Sequence, residues 1–339
     1  MGHGKRYKSL QDRANAVMRE MLHNGKGTSK HADQLRLGGP DPDKIYSSKT
    51  YETYKPVVEK FVDWCQENHP KAETMNQSRK FVKEYMESLE AENYSAWTLS
   101  TYAAALHKVW HITPDDKCRY EPPERRREDI TRSRGGAIRT EDFREDLHAD
   151  LVDFCRAAGP RSSALSRLTG DDLWTREEAE ERLQEARQDG DRREAAAIDL
   201  ALRAYGEDCD AFVWYDHDKG GKCRLAPVIA DEETLQMIED KFEAAPSGEP
   251  VWPEIPSHMD VHAYRADYAT TIYEQYARNE DDLRPGNKVE LLSGETRSEV
   301  IICRRDRSGE RFDAAAVERV SIALGHHRTD TAITNYIRK

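Results

Sequence analysis

The sequence predicts an α+β protein in which an all-helical N-terminal domain is followed by a mixed, mainly helical domain with a small antiparallel sheet. Apolar residues recur at helical spacing from Ser48 to Ile112. A stretch rich in proline, glycine and alternating charge follows, which is typical of an interdomain linker. Beyond that stretch, helical patterns are combined with short β runs. The boundaries that these patterns predict are 1–46 for an N-terminal helix and flexible connector, 47–112 for the helical domain, 113–138 for the linker and 139–339 for the mixed domain.

The helical domain is predicted from apolar periodicity and from serine and threonine residues that can cap helix starts. A short helix over 6–23 precedes a connector rich in glycine, proline and aspartate, and the helix that begins near Ser48 ends before Pro70. The predicted helices of this part of the chain cover 6–23, 48–69, 76–93 and 95–112.

The mixed domain is predicted to begin with a helix over 142–159 and to contain a β-hairpin over 211–230, folded around a Lys-Gly-Gly-Lys turn. A helix over 261–278 follows, then one or two β runs within 288–312 and a late helix that Gly325 ends. Between the first helix and the hairpin, 176–205 has the pattern of two charged helices with a thin apolar stripe. We expect that stretch to be an insertion on the surface.

Composition restricts the class of protein less than the motifs do. The chain has 339 residues, enough for two modest domains with separate cores. Its formal net charge of −12 counts against nucleic-acid binding as a bulk property. Phosphate contacts need only a basic face, however, and basic residues cluster in "PERRREDITRSR" and "IICRRDRSGER". Composition therefore leaves nucleic-acid binding open.

The cysteines and the N-terminus indicate a cytoplasmic protein. The N-terminal residues lack the apolar stretch of a signal peptide, and no apolar run approaches membrane-spanning length. The cysteines are scattered without a CxxC pair, so we expect reduced thiols and neither a disulfide framework nor a zinc site. They are Cys65, Cys118, Cys155, Cys209, Cys223 and Cys303.

Two candidate functional residues lie at predicted turns of the mixed domain. Arg161, in "GPRSSAL", is placed where one helix has ended and the next begins. Lys219, in "KGGKCR", lies in the hairpin turn, from which a lysine could reach into a cleft and deliver a proton. Lys222 competes with Lys219 for that role, and the position directly after an aspartate favours Lys219.

The remaining candidates lie on the helix over 261–278 and at the C-terminus. His262 and Arg265, in "HAYR", are three residues apart and are predicted to share one helix face, opposite a face that can bury. The chain ends in "LGHHRTDTAITNYIRK", which places His326 ten residues before Tyr336. His327 is the alternative to His326, although the "LGH" element favours His326.

Together and in this order, "GPRSSAL", "KGGKCR", "HAYR", "LGH" and Tyr336 resemble the motifs of the tyrosine recombinase (phage integrase) family. The resemblance covers roughly 47–339, because the helical domain is similar to the family's SAM-like core-binding domain and the mixed domain to its catalytic domain. It implies a site-specific recombinase that cleaves and rejoins DNA through a 3′-phosphotyrosyl intermediate, integrating or excising a mobile element. The alternatives are a type IB topoisomerase-like nicking-closing enzyme and a non-catalytic DNA-binding accessory protein.

The resemblance also implies a role for each candidate residue. Arg161 and Arg265 would clamp the nonbridging phosphate oxygens, and His326 would add a third donor. Tyr336 would attack the phosphorus, and Lys219 would protonate the leaving 5′ oxygen. His262 would accept or orient the tyrosine proton.

The implied partner is double-stranded DNA with inverted-repeat core sites, bound by a homotetramer of two dimers, with an excision factor as a further candidate partner. Because the covalent link conserves the energy of the phosphodiester bond, neither a metal nor another cofactor is expected.

The sequence departs from the family pattern in three places. Ala164 stands where an acid commonly follows the first arginine by three residues, so support for Arg161 must come from elsewhere. The stretch 279–312 is longer than a minimal domain needs, and we expect its arginines to lie close to DNA; they are Arg304, Arg305 and Arg307. Only three residues follow Tyr336, so contacts between protomers are expected either to come from other segments or to be weaker.

Overall fold

The computed structural model describes residues 9–126, 143–218, 222–304, 307–326 and 329–339. By its internal contacts the chain divides into two compact units, Met1–Arg125 and Arg126–Lys339. The part of the predicted linker from 127 to 138 lies outside the described residues. In the parts that are described, no helix is long and apolar enough to cross a membrane.

The described part of the first unit is entirely helical. Serine or threonine hydroxyls accept hydrogen bonds from backbone amides at the start of five of the six helices, which explains where those helices begin. The helices are α1 (Leu10–Gly25), α2 (Lys30–Leu37), α3 (Ser48–Asn68), α4 (Met75–Arg79), α5 (Val82–Ala91) and α6 (Ala96–Val109). Three of them differ from the prediction: α2 falls in the expected connector, and the single helix expected over 76–93 is divided into α4 and α5.

The helices of the first unit share one core. Met18 of α1 is buried in the same cluster as Phe61 of α3, Met86 of α5 and Leu106 of α6. The N-terminal helix is therefore packed with the helical domain. The prediction of an all-helical N-terminal domain is confirmed.

The second unit is mainly helical in its described residues, with short strands. Its helices are α7 (Ala149–Ala158), α8 (Ser162–Leu165), α9 (Arg176–Asp189), α10 (Arg192–Tyr205), α11 (Glu232–Glu243), α12 (Val261–Tyr276), α13 (Ala314–Ala323) and α14 (Thr329–Asn335). Its strands are β1 (Leu173–Thr175), β2 (Ala211–Asp218), β3 (Lys222–Pro227), β4 (Lys288–Glu290), β5 (Thr296–Ser298), β6 (Val300–Ile302) and β7 (Arg311–Asp313). Sequence patterns did not predict α11 or β1.

All the described strands pair antiparallel. β1, β2 and β3 form a three-stranded sheet in that order, and the pairs β4–β5 and β6–β7 are separate. Asp218, the last residue of β2, lies opposite Lys222, the first of β3. The predicted mixed, mainly helical domain with a small antiparallel sheet is therefore confirmed, and the hairpin is where the sequence placed it.

The charged helices over 176–205 do not form a surface insertion, so that expectation was wrong. Ile198, Ala201 and Tyr205 of α10 are buried in the main core of the second unit, where α10 packs against β3 and α13. Alanines make up much of the buried stripe, and their small side chains let the backbones approach closely. Such a stripe has low hydrophobicity in the sequence even though it is fully packed.

Candidate active site

Two glycines bring the backbone close to the centre of the site. Gly159 ends α7 at φ +55°, and a Cβ there would lie 2.2 Å from Cδ1 of Tyr268. Gly325 has φ +63°, and its Cβ would lie 2.8 Å from Cδ of Arg224. Glycine tolerates both the positive φ and the close approach. These turns direct the carbonyl groups of Gly159 and of Leu324 toward the arginines described next.

Arg161 is held at the N-terminus of α8, directly after the turn at Gly159. Its Nη1 donates to the carboxylate of Asp218 at the end of β2. Its Nη2 lies 3.4 Å from Nε2 of His326 and 3.5 Å from the carbonyl oxygen of Leu324. The side chain is only 11% exposed, so this guanidinium is held in a fixed position by the end of β2 and by the segment that follows α13.

Arg265 lies on α12 and is completely buried. Its Nη1 donates to the carbonyl of Gly159 and its Nη2 to that of Leu324, at 2.6 Å for the second bond. Burial lowers the pKa of Arg265 to about 9, with the neighbouring cations Arg224 and Arg161 adding to the effect, and this pKa still leaves the group charged at neutral pH.

Arg265 does not lie opposite the buried face of α12, as its spacing from His262 predicted, because most positions of this helix are buried. The buried residues of this helix are Val261, Ala263, Tyr264, Arg265, Ala266, Tyr268, Ala269, Ile272 and Tyr273.

Sequence reasoning missed two members of the site, Arg224 and Asp218. Arg224 on β3 donates to Oδ2 of Asp218 at 3.0 Å, to the carbonyl of Gly159 at 3.1 Å and to the carbonyl of Ala323. Burial raises the pKa of Asp218, but the guanidinium groups of Arg224 and Arg161 outweigh it and hold that pKa well below its ordinary value. The available signals were the arginine in "KGGKCR" and the aspartate directly before Lys219.

His326 follows Gly325 at the end of α13 and is neutral at neutral pH. Burial lowers its pKa to about 3, and the positive charges of Arg265, Arg161 and Arg224 contribute to the shift. Because arginine can only donate, Nε2 of His326 accepts from Arg161, and we assign the ring proton to Nδ1.

Tyr336 lies in the turn after α14, beside the histidine and the buried arginine. The centre of its ring is 5.3 Å from that of His326, and Cζ of Arg265 is 5.4 Å from the ring centre. The next residues anchor the chain end on α12, where the backbone amide of Arg338 donates to Oγ1 of Thr270 at 2.9 Å. The structure therefore brings Arg161, Arg265, His326 and Tyr336 together within one unit.

The other predicted site residues are either outside the described residues or exposed. Lys219 and the alternative His327 lie outside the described residues. Lys222 is exposed at the first position of β3, and His262 is exposed in the first turn of α12, one turn before Arg265. The inclusion of His262 in the site rests on this helical spacing, and it stays a prediction.

The arginines of 279–312 do not form the exposed group that was expected. Arg304 is exposed and Arg305 lies outside the described residues. Arg307 is buried and donates to backbone carbonyls of the C-terminal segment, so its expected place on a DNA-facing surface was wrong. Across the described ranges, the side chains form no group of three or more histidine, cysteine, aspartate or glutamate residues that could hold a metal ion.

The comparison with protein families gives one match. Residues 42–113 match the phage integrase N-terminal SAM-like domain, a segment that runs from just before α3 to the end of α6. The resemblance to phage integrases that the motifs predicted is therefore confirmed for the helical domain. No curated protein matches the chain.

Solved structures of two recombination enzymes are similar to the chain at low identity. The Tn1549 transposon integrase in complex with circular intermediate DNA is 11% identical, with a TM-score of 0.43 over 98% of this chain and 96% of that chain. XerA recombinase is 12% identical, with a TM-score of 0.27 over 96% of this chain and 94% of that chain. Similarity at this level carries no argument about the site.

Proposed function

We propose that this chain is a site-specific tyrosine recombinase, which cleaves and rejoins duplex DNA through a 3′-phosphotyrosyl intermediate on Tyr336. The observation that carries the proposal is the convergence of Arg161, Arg265 and His326 beside the ring of Tyr336. The SAM-like match over 42–113 supports it independently, because it concerns residues of the other unit.

The charge of the site suits a phosphodiester. Three guanidinium groups, those of Arg161, Arg224 and Arg265, surround the single carboxylate of Asp218. The cluster therefore keeps an excess of positive charge in a largely buried place, where it acts more strongly than in water. Attack on a phosphodiester increases negative charge on the nonbridging oxygens, and fixed donors lower the barrier by stabilising that charge.

Arg265 retains an unused donor for such an anion. Its Nε is buried and has no hydrogen-bond partner among the described residues, although both terminal nitrogens donate to carbonyls. A buried donor without an acceptor is costly, by about 1–3 kcal/mol. An acceptor that reached this Nε would remove that cost.

The proposed reaction has two steps, cleavage of one strand and its rejoining. The hydroxyl oxygen of Tyr336 bonds to phosphorus while the bond from phosphorus to the 5′ oxygen breaks, and the tyrosine proton passes to His262. Lys219 donates a proton to the leaving 5′ oxygen, which becomes a hydroxyl. In the second step a 5′ hydroxyl attacks the phosphotyrosine, and the same groups act in reverse to release Tyr336.

The substrate follows from the same proposal. We propose that the DNA carries inverted-repeat core sites, that two dimers assemble on it as a tetramer, and that the reaction integrates or excises a mobile element. What supports this is the resemblance of the motifs together with the SAM-like match.

The test is a covalent-trapping experiment. A plasmid carrying the DNA that flanks this gene in its source genome is incubated in EDTA with wild-type protein or with Tyr336→Phe, and the reaction is quenched with SDS. We expect protein-linked DNA with the wild type only, and mapping its ends locates the cleavage site.

The other outcomes of this experiment distinguish the recombinase from the alternative functions. An adduct with both proteins would show that another residue is the nucleophile. An adduct with neither, together with a shift of the same DNA in a gel, would favour a binding protein without catalysis. Adduct formation without recombinant joints between two duplexes would favour a nicking-closing enzyme.

A further inference from the structure

Arg307 donates hydrogen bonds to the distant segment that carries Tyr336 as well as to Glu310, its neighbour in the sequence. Its Nη1 donates to the carbonyl of Ile333 at 2.7 Å and to that of Ile337 at 2.9 Å. Its Nε lies 2.8 Å from the carboxylate of Glu310, and its Cζ stacks 4.7 Å from the centre of the Phe312 ring. The residue is 6% exposed, so these contacts are made away from water.

The two carbonyls that Arg307 joins lie on either side of Tyr336. Ile333 is in the last turn of α14, where backbone carbonyls lack intrahelical partners and a cation is favourable. Ile337 is the residue after Tyr336, and its side chain is fully buried in the main core. A single guanidinium nitrogen therefore closes the turn that carries Tyr336, whose side chain is half-buried.

Two backbone hydrogen bonds also hold this turn. The amides of Tyr336 and Ile337 both donate to the carbonyl of Ala332, at 3.0 Å each. Without Arg307, the carbonyls of Ile333 and Ile337 would be buried and unsatisfied, and the Tyr336 ring would lose a fixed position relative to Arg265 and His326.

We propose that Arg307 is a positioning residue for the nucleophile, which holds Tyr336 in line with the phosphate by bridging the carbonyls of Ile333 and Ile337. This inference rests on the proposed recombinase function. It assigns to the stretch 279–312 a part in presenting the tyrosine, in place of the DNA contact that its charge suggested.

A purely structural role for Arg307 and a positioning role are distinguished by which quantity falls when the residue is replaced: stability, reaction rate or DNA affinity. A structural role lowers stability and the active fraction, whereas a positioning role lowers the rate of bond formation at saturating DNA. A DNA contact would instead weaken affinity. The position of a reacting atom controls rate steeply, because a misplacement of about 1 Å can cost on the order of 100-fold.

The experiment uses the cleavage site mapped with the wild-type protein. The substrate is a duplex spanning that site with a nick just downstream of it, so that the short fragment bearing the freed 5′ hydroxyl dissociates and the adduct is trapped in a single turnover. Arg307→Gln and Arg307→Lys are compared with the wild type and with Arg304→Gln, an exposed arginine of the same stretch. Gel-shift affinity, the adduct rate at saturating protein and the thermal midpoint are measured for each.

We expect Arg307→Gln to bind within about twofold of the wild type and to form the adduct on the order of 10 to 100 times more slowly. Arg307→Lys keeps a cation that can donate to both carbonyls, so its rate should be intermediate, and Arg304→Gln should match the wild type. Replacing the leaving 5′ oxygen by sulfur should not restore Arg307→Gln, because its defect does not lie in proton donation.

An unchanged saturated rate in Arg307→Lys and Arg307→Gln would overturn the inference, and so would a loss confined to affinity. If Arg307→Gln does not fold, the rate of folded Arg307→Lys decides the question alone. A wild-type protein that forms no adduct overturns the proposed function, which distinguishes that failure from a failure of Arg307.

Discussion

Arg161 and Asp218 form a buried ion pair although 57 positions separate them in the sequence. The side chains are 11% and 3% exposed, and the same carboxylate oxygen also accepts from Arg224 at 3.0 Å. Asp218 therefore provides the support for Arg161 that Ala164 cannot give. It also lies at the end of β2, directly before Lys219, so the candidate arginine and the candidate lysine are joined through one residue.

Asp218→Asn should lose both stability and activity. Removing the charge leaves the guanidinium groups of Arg161 and Arg224 close together without a counter-ion, and breaking a buried pair costs about 3–5 kcal/mol. Urea unfolding measures the stability, and single-turnover adduct formation measures the rate. Asp216→Asn, on an exposed position of the same strand, is the control. Equal stability and equal adduct rates in the two variants would mean that the buried ion pair contributes to neither.

Lys219→Met should be inactive on ordinary DNA and active again on DNA with a 5′-bridging sulfur at the cleavage site. A thiolate leaves without needing a proton, so the general acid becomes dispensable. Lys222→Met should keep the wild-type rate on both substrates. The reverse pattern would assign proton donation to Lys222. Adduct formation on the two substrates is compared by gel electrophoresis.

His326 should make the protein less stable in acid. Its pKa is lowered from 6.5 to about 3 in the folded state, so between these values the unfolded chain binds more protons. The free energy of unfolding then falls as the pH drops through this window, and it is unaffected above about pH 6.5.

The variant His326→Gln should show a smaller loss of thermal midpoint between pH 7.5 and pH 4.5 than the wild type. His23→Gln, which changes an exposed residue of α1, should keep the wild-type difference. His107, whose pKa burial lowers to about 4, adds a loss of the same sign that both variants retain. An unchanged pH dependence in His326→Gln would contradict the buried, neutral state of this ring.

Gly325→Ala should reduce stability by more than its positive φ alone explains. A left-handed residue other than glycine costs about 1–2 kcal/mol, and here the added methyl would also press on the side chain of Arg224. Gly190→Ala isolates the first cost, because Gly190 has φ +77° and nothing within 4 Å of its Cβ position. The difference between the two variants in urea unfolding measures the contact with Arg224, and equal losses would mean that Arg224 moves aside freely.

The local sequence was sufficient to predict the helices that have a clear apolar period and the hairpin that has clear turn residues. The helix from Ser48 has a hydroxyl at its start and an apolar stripe along its length, and β2 and β3 lie on either side of a Gly-Gly pair in the sequence. It predicted α9 and α10 as helices but not their burial, because alanines form a buried stripe of low hydrophobicity. It also placed Arg265 opposite the face of its helix that can bury, because a charged residue in a helix is ordinarily solvated.

Sequence patterns alone predicted most of the helices, the hairpin, the two kinds of domain and four residues that the fold brings together, Arg161, Arg265, His326 and Tyr336. These follow from local spacing and from short motifs, which act over a few residues of the chain. Only the tertiary structure decided that Asp218 supports Arg161, that Arg224 joins the cluster and that Arg307 closes the turn at Tyr336. Those contacts connect segments that are distant in the sequence. In the buried interior each charge must be paired, and its partner is set by the packing of these segments.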